Sequence, residues 1–500
     1  MKSKLFGVLL FIETVALIVA ASVSSYYQDV AEETDLKCFL IPAVACFVIG
    51  SVLYLIGQRK NSKALKIKDS FQVVTFSWIL FSLFGMMPFL LYGTMNNVSD
   101  AFFETMSGFS TTGATVIENI DDQPHGILFW RSLMQWLGGL GIIVFTLAFI
   151  PTVAKGSKKM VLFAAEAPGL SVEKLSPKMQ NTARSLWIIY IILTILCAFV
   201  YWLGDMNAFD AVCHAFTTIA TGGFSTHQAS IGYFQSSYIE YVCILFMILA
   251  GINFAIYFFA FTRRFDLVSR NEELRWYLAL IVIFAAFYFG LFSFAGHFDG
   301  VTESQLAGMP QTWQDKLRTS LFHVVSLLSN TGYQAANFNY DNWGLLFVIP
   351  TLFLMVIGGC AGSTSGGIKV IRVIVLCKYM KMALKEFVHP TGMYNIKISK
   401  QSVDNSSVRM VCIFLSLFIL VFMVNLFLLT ATGMTLENAM AAFLTCFSNF
   451  GPGSGLTGPN GTFAAVPTAA KWILSLDMLL GRLEIFTVIM LFTKSFWKDM

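Results

Sequence analysis

Ten stretches of this chain are long and apolar enough to cross a bilayer, which takes about 20 residues. They fall at about 5–23, 38–57, 70–93, 126–151, 184–204, 238–262, 276–297, 343–388, 408–432 and 466–497. Hydrophobic residues make up 56% of the 500 and charged residues 12%, against roughly 25% charged in a soluble domain. The pattern excludes a string of soluble domains and implies one polytopic helical bundle. The chain opens MKSK and runs straight into the first apolar stretch. No small-residue cleavage site follows, and a second stretch comes quickly, so both read as retained membrane helices. Nine cysteines form no C-x-x-C pair and six histidines show no ligand spacing, which argues against a disulfide framework or a zinc site.

The net charge of +4 is modest, and its placement says more. Segment 58–69 carries Arg59, Lys60, Lys63, Lys66 and Lys68; segment 152–184 carries Lys155, Lys158, Lys159, Lys174, Lys178 and Arg184. Segment 263–275 has Arg263, Arg264, Arg270 and Arg275, and segment 369–400 has seven bases from Lys369 to Lys400. The alternate loops are acidic: 24–36 has Asp29, Glu32, Glu33 and Asp35, and 94–125 has Asp100, Glu104, Glu118, Asp121 and Asp122, neither with Lys or Arg. The positive-inside rule places the basic set and both termini in the cytoplasm.

Between the spans lies a fourfold repeat. "MSGFSTTGATV" around Gly113, "TTIATGGFSTH" around Gly223, "SLLSNTGYQAA" around Gly332 and "TCFSNFGPGSG" around Gly451 align without gaps, the glycines 110, 109 and 119 residues apart. Each follows about ten mostly apolar residues, too few to span, and each sits between two long spans. The unit is span, short re-entrant helix, extended polar turn, span. Such backbone survives at membrane depth only when buried in protein or lining a water-filled path. Four turns around an axis can aim successive carbonyls inward, Gly supplying backbone angles other residues avoid. Carbonyl rings replace an ion's hydration shell. The short helices direct their negative ends at the cavity. Asp and Glu are absent from the turns, which fits a monovalent cation; a divalent one would bring carboxylates.

"GFSTTGAT", "TIATGGFSTH", "SNTGYQ" and "SNFGPGSG" resemble, in order and spacing, the four filter segments of the Trk/Ktr/HKT superfamily of potassium transporters. With two additional N-terminal spans the chain is most similar to its TrkH/TrkG branch of bacterial potassium uptake subunits. The resemblance implies a K+ selectivity filter of Ser110, Thr111, Thr112 and Gly113; Ala220, Thr221, Gly222 and Gly223; Ser329, Asn330, Thr331 and Gly332; and Ser448, Asn449, Phe450 and Gly451. Ions are then held near Thr111, Thr112, Thr221, Gly222, Asn330, Thr331, Asn449 and Phe450. The fourth turn departs most, with Phe450 and Pro452 in place of smaller or polar residues.

"GGCAGSTSGGIK", residues 358–369, interrupts the eighth span. The resemblance makes it an intramembrane gate built on Gly358, Gly359, Gly362, Ser363, Thr364, Ser365, Gly366 and Gly367. Its small residues equally suit close helix packing. A phosphate loop is excluded, since Ile368 stands where Lys is needed, and "GSGLTG" at 453–458 lacks the strand and helix of a dinucleotide site. Arg482, inside the last span, is by the same resemblance a pore charge that hinders passage. The alternative is an ion pair with Asp477 or Glu484. His214 and His323, both nine residues before the glycine, read as packing residues.

The expected fold is an all-α polytopic membrane protein. Residues 1–69 hold two transmembrane helices and a basic cytoplasmic loop, followed by repeats at 70–183, 184–275, 276–400 and 401–500, the third with the gating loop. An intramembrane enzyme would need a nucleophile–base pair or metal cluster, which the spans lack. An alternating-access carrier would show inverted repeats, whereas these run in one orientation. The resemblance further implies a multi-pass protein of the bacterial inner membrane, a homodimer, and a cytoplasmic TrkA-type nucleotide-binding regulatory subunit docked on 152–184 and 369–400. K+ is its transported ion, with no organic cofactor and no nucleic-acid partner. K+ against Na+, and proton symport against channel-like passage, stay open at this point.

Overall fold

The apolar runs form helices because, without water, only helical backbone satisfies its own N–H and C=O groups. The computed structural model describes residues 2–31, 33–59, 67–154, 179–297, 302–335, 343–392, 394–459 and 461–497. Much of the basic 58–69 and 152–184 segments lies outside the described residues. Among the described residues, six helices are long and apolar enough to cross a membrane, seven if one sharply bent pair counts as a single span. Lys2–Ala31 and Leu36–Arg59 form an N-terminal hairpin, packed close at Gly7, where an added Cβ would lie 2.6 Å from Gly50 O.

Four short helices match the expected re-entrant elements: Val98–Phe109, Ala208–Ile219, Trp313–Ser329 and Leu436–Ser448. Three begin on side-chain caps. Asn207 accepts from Asp210 N, Thr312 from Asp315 N and Thr435 from Asn438 N, each satisfying a donor the first turn leaves open. Each short helix packs between the spans that flank it: 98–109 between Ile67–Gly85 and His125–Ala154, 208–219 between Met179–Trp202 and Ser237–Gly251, 313–329 between Glu272–Phe294 and Leu345–Ile357, and 436–448 between Asn405–Ala431 and Thr468–Arg482.

The repeats also close on one another. The span leaving each repeat packs on the short helix of the next: 125–154 on 208–219, 237–251 on 313–329, 345–357 on 436–448, and 468–482 back on 98–109. That last contact makes the arrangement a ring. One ion pair ties the seam, with Lys471 Nζ 2.7 Å from Asp100 Oδ1; a second, Arg131 Nε 2.9 Å from Glu104 Oε1, lies within the first repeat.

The structure corrects two expectations of continuity, while stretch 70–93 holds as one span, Phe71–Tyr92, with a single-residue turn at Met86. Stretch 238–262 bends by 90° between Ser237–Gly251 and Phe254–Phe261. Stretch 466–497 breaks at Leu483, where Glu484 takes a left-handed φ of 59°. A two-residue hairpin, Lys397–Ile398 with Gln401–Ser402, adds the one β pairing among the described residues.

Candidate ion-pathway site

Each short helix ends in the same way. The residue two before the repeat glycine is left-handed in all four turns: Thr111 at φ 55°, Thr221 at 52°, Asn330 at 54° and Asn449 at 53°. The next amide reaches back five residues to close the helix: Thr112 N to Ser107 O, Gly222 N to Thr217 O, Thr331 N to Ser326 O and Phe450 N to Thr445 O, at 2.8–3.0 Å. This is the Schellman closure, which usually places Gly at the left-handed position. Asn tolerates it, but a β-branched Thr there is a genuine outlier, of the order of 1–3 kcal/mol of strain and concentrated at functional sites. Two residues on, the repeat glycines are again positive: Gly113 at 84°, Gly223 at 74°, Gly332 at 79° and Gly451 at 101°.

The glycines are also needed for room. A Cβ on Gly113 would sit 2.2 Å from Gly222 O, on Gly223 1.9 Å from Thr331 O, on Gly332 1.9 Å from Phe450 O, and on Gly451 2.7 Å from Thr112 O. Each turn abuts the carbonyl of the next, and the fourth abuts the first. The structure thus brings all four turns together around one cavity lined by Gly113, Gly223, Gly332 and Gly451. Apart from the glycines, of which Gly113 and Gly223 are partly exposed, the expected turn residues are buried: Ser110, Thr112, Ala220, Ser329, Asn330, Thr331, Asn449 and Phe450 at 0%, Thr221 and Ser448 at 1%. Thr111, also at 0%, completes the set. The lining of this cavity among the described residues has no Asp or Glu, its ionisable members being Arg131 and His227, so the oxygens facing it come from backbone and neutral side chains.

Beneath the turns lies the 358–369 segment. It separates Leu345–Ile357 from Val370–Val388 and is fixed by its own backbone. Cys360 N donates to Gly251 O at 3.0 Å, and Phe254 N donates to Gly362 O at 3.1 Å. The 90° break and the loop therefore satisfy one another's open peptide groups. Thr364 Oγ1 donates to Ile219 O, at the end of the second short helix, at 3.0 Å. Gly366 approaches the fourth turn, its added Cβ 2.1 Å from Ser448 O, and Gly358 the third, 2.9 Å from Asn330 Oδ1. Glu273 Oε1 accepts from Ala361 N at 2.7 Å.

Arg482 reaches this loop. Its Nη1 donates to Thr364 O at 2.6 Å and its Nη2 to Gly138 O at 3.2 Å, and the residue is 5% exposed. Neither rival carboxylate pairs with it among the described residues; Glu484 instead pairs with Arg372. His214 and His323 are fully buried, bonded to Asp210 O and Ser225 Oγ, and to Thr351 Oγ1.

Three features escaped the sequence reading. Gln135 bonds the second turn at Gly222 O and Phe224 N. Arg131 joins Glu104 to the descending limbs through Thr115 Oγ1 and Ser225 O. His227 stacks on Tyr233 at 3.5 Å between Asp121 and Asp210. The first two leave no local signal, since their partners are far away in sequence. The third is adjacent to "GGFST" and its polar character was visible.

Comparison with known proteins places this architecture. Residues 36–500 match the family described as TrkH, cation transport protein. A "Trk system potassium uptake protein TrkH" of Salmonella typhimurium is 36% identical over 99% of both chains. The TrkG protein of Escherichia coli strain K12, also named for potassium uptake, is 32% identical over 99% of this chain and 97% of its own. The crystal structure of the potassium transporter TrkH from Vibrio parahaemolyticus superposes with a TM-score of 0.86 at 34% identity, covering 99% of each. These relatives are named as transport proteins, not enzymes. With the match running nearly end to end and the fold shared, the chain belongs to the TrkH family of cation transport proteins.

Proposed function

We propose that this chain takes potassium across the bacterial inner membrane through the cavity ringed by the four turns. The observation that carries the reading is the closed cycle of glycine-to-carbonyl approaches from Gly113 round to Gly451. Carbonyls at one level, set by four left-handed residues in register, offer a dehydrated cation a replacement for its water. The choice of potassium is supported by the names of the relatives. Below the ring, the 358–369 loop is the gate and Arg482 holds it: a guanidinium bonded to Thr364 O both anchors the loop and repels a passing cation. Both termini lie in the cytoplasm, and the protein works as a homodimer with a TrkA-type nucleotide-binding subunit. Support for that docking side is the basic character of 152–184 and 369–400.

The test is flux of K+, Rb+ and Na+ into liposomes holding Gly113→Ser, Gly223→Ser, Gly332→Ser or Gly451→Ser. Each serine Cβ would collide with the neighbouring carbonyl, so the K+/Na+ ratio is expected to fall in all four. Unchanged ratios at normal expression would reject the filter, and equal K+ and Na+ flux in the parent would favour a sodium-permeable cation transporter. A pH dye in the same vesicles separates symport, which acidifies the lumen as K+ enters, from channel-like passage, which does not.

A further inference from the structure

The four turns are braced differently. In the first, Ser110 Oγ bonds Thr112 Oγ1 at 2.7 Å; in the third, Ser329 Oγ bonds Thr331 Oγ1, also at 2.7 Å. The second turn has neither hydroxyl, because Ala220 and Gly222 stand at those positions. Gln135 takes their place from the span leaving the first repeat, 87 residues away in sequence. Its Nε2 donates to Gly222 O at 2.7 Å and its Oε1 accepts from Phe224 N at 3.1 Å. The side chain is fully buried. A Cβ built on Gly222 would lie 2.3 Å from Gln135 Cδ, and its three nearest atoms all belong to Gln135. The glutamine therefore fills the space that Thr112 and Thr331 fill with their own side chains.

Gly222 O is the carbonyl that approaches Gly113 in the ring. The peptide joining Gly222 and Gly223 has no side chain on either side to limit its rotation, and glycine has the widest backbone freedom. It is the least restrained ring peptide by sequence, and its carbonyl is held by a side chain from outside its own repeat; the first turn is also reached from another repeat, but on the Thr112 hydroxyl, by Asn449 Nδ2 at 2.9 Å. A carbonyl held by a strong donor in a dry interior is both fixed in direction and polarised.

We propose that Gln135 is a positioning residue for ion selectivity, setting the direction of the Gly222 carbonyl and so the share of the ring's field that the second turn supplies. This rests on the filter reading above. The ring discriminates between cations by where its oxygens stand, and Gln135 sets one of the four positions without touching the ion.

The experiment compares Gln135→Leu and the near-isosteric Gln135→Glu with the parent in liposomes, reading the K+/Na+ flux ratio beside the melting temperature in detergent. Leucine keeps the bulk and removes both bonds. Glutamate keeps the acceptor for Phe224 N and, once ionised, loses the donor for Gly222 O, so this variant is read at alkaline pH, where burial no longer keeps the carboxyl protonated. Both are expected to lower the ratio about two- to tenfold, the range that one lost hydrogen bond of ordinary strength covers. A transplant supplies the readout that packing alone would not move. Gln135→Ala with Ala220→Ser and Gly222→Thr rebuilds the first turn's brace in the second and is expected to recover most of the ratio. The same set with Gly222→Val, equal in bulk but without the hydroxyl, is expected not to. A parental ratio in Gln135→Glu or Gln135→Leu, or equal recovery with threonine and valine, overturns the proposal. Gly223→Ser in the same assay keeps the two readings apart: if it loses selectivity while the Gln135 variants do not, the filter stands and the role of Gln135 falls.

Discussion

At the scale of single residues, charge is placed where a neighbour can use it. Arg482 illustrates the point. It donates to two carbonyls, Thr364 O and Gly138 O, on two different repeats, and its nearest carboxylate in sequence, Glu484, is engaged by Arg372. A cation within ~6 Å of this charge at an effective dielectric of ~20 meets a repulsion of roughly 3 kcal/mol. Half of that slows passage about tenfold. Arg482→Gln is therefore expected to raise Rb+ flux in liposomes by about that factor. The K+/Na+ ratio should hold, since no ring oxygen is altered. The stability lost should be that of the carbonyl bonds, about 1–3 kcal/mol, well short of the loss that follows stranding a buried carboxylate. A collapse of the melting temperature with no gain in flux would contradict this. His227 gives a second case. Burial alone would lower its pKa, but hydrogen bonds to Asp210 and Asp121 outweigh that and hold it above the ordinary histidine value. Asp121 is half-exposed, so solvent screens its share and Asp210 contributes more. A raised pKa means that the protonated ring stabilises the fold. The contribution is complete below the unfolded value of ~6.5 and lost as pH rises through the higher folded value. The melting-temperature difference between parent and His227→Gln should be largest near pH 5 and shrink in alkali. A difference that grows with pH would refute it.

At the scale of elements, two interruptions depend on one another. The break between Gly251 and Phe254 would leave open peptide groups inside the membrane, and the 358–369 loop would leave others. Cys360 N to Gly251 O and Phe254 N to Gly362 O pair them off. Asn253 marks the restart of the helix, its side chain accepting from Ala255 N. If the proposed gate holds, deleting residues 360–366 should raise basal flux. It should also lower the melting temperature, because Gly251 O and Phe254 N lose their partners. Flux that stays level or falls in a folded deletion variant would make the loop a packing element. The interruption at 358–369 was legible in the sequence as a run of small residues in an apolar span. Its counterpart at 251–253 was not, since one Gly and one Asn in a strongly apolar stretch are tolerated by continuous helices. Only the loop's arrival makes the break favourable.

At the scale of the whole molecule, the fourfold plan was readable because its demands fall on backbone. Positions needing positive φ with no room for a Cβ admit only glycine, so Gly113, Gly223, Gly332 and Gly451 stand out in register. The left-handed Thr111 and Thr221 did not stand out, because threonine disfavours that conformation and nothing local announces it. The closure of the ring, 468–482 onto 98–109, joins the two ends of the repeat array. No pattern within one repeat encodes it. The core divides accordingly. One apolar cluster is built mainly from the second and third repeats, with Val408, Val411 and Phe450 of the fourth, and the other mainly from the first and fourth with the N-terminal hairpin, with Cys213 of the second. A further consequence lies in the cycle of glycine-to-carbonyl approaches. With each alpha carbon lodged against the next turn's oxygen, no turn moves outward alone without crowding one neighbour and parting from the other. The aperture then breathes as a single collective mode rather than four independent ones. Yet its four members are separate stretches of one polypeptide, so its stiffness can be retuned a quarter at a time, a freedom denied to any pore assembled from identical subunits.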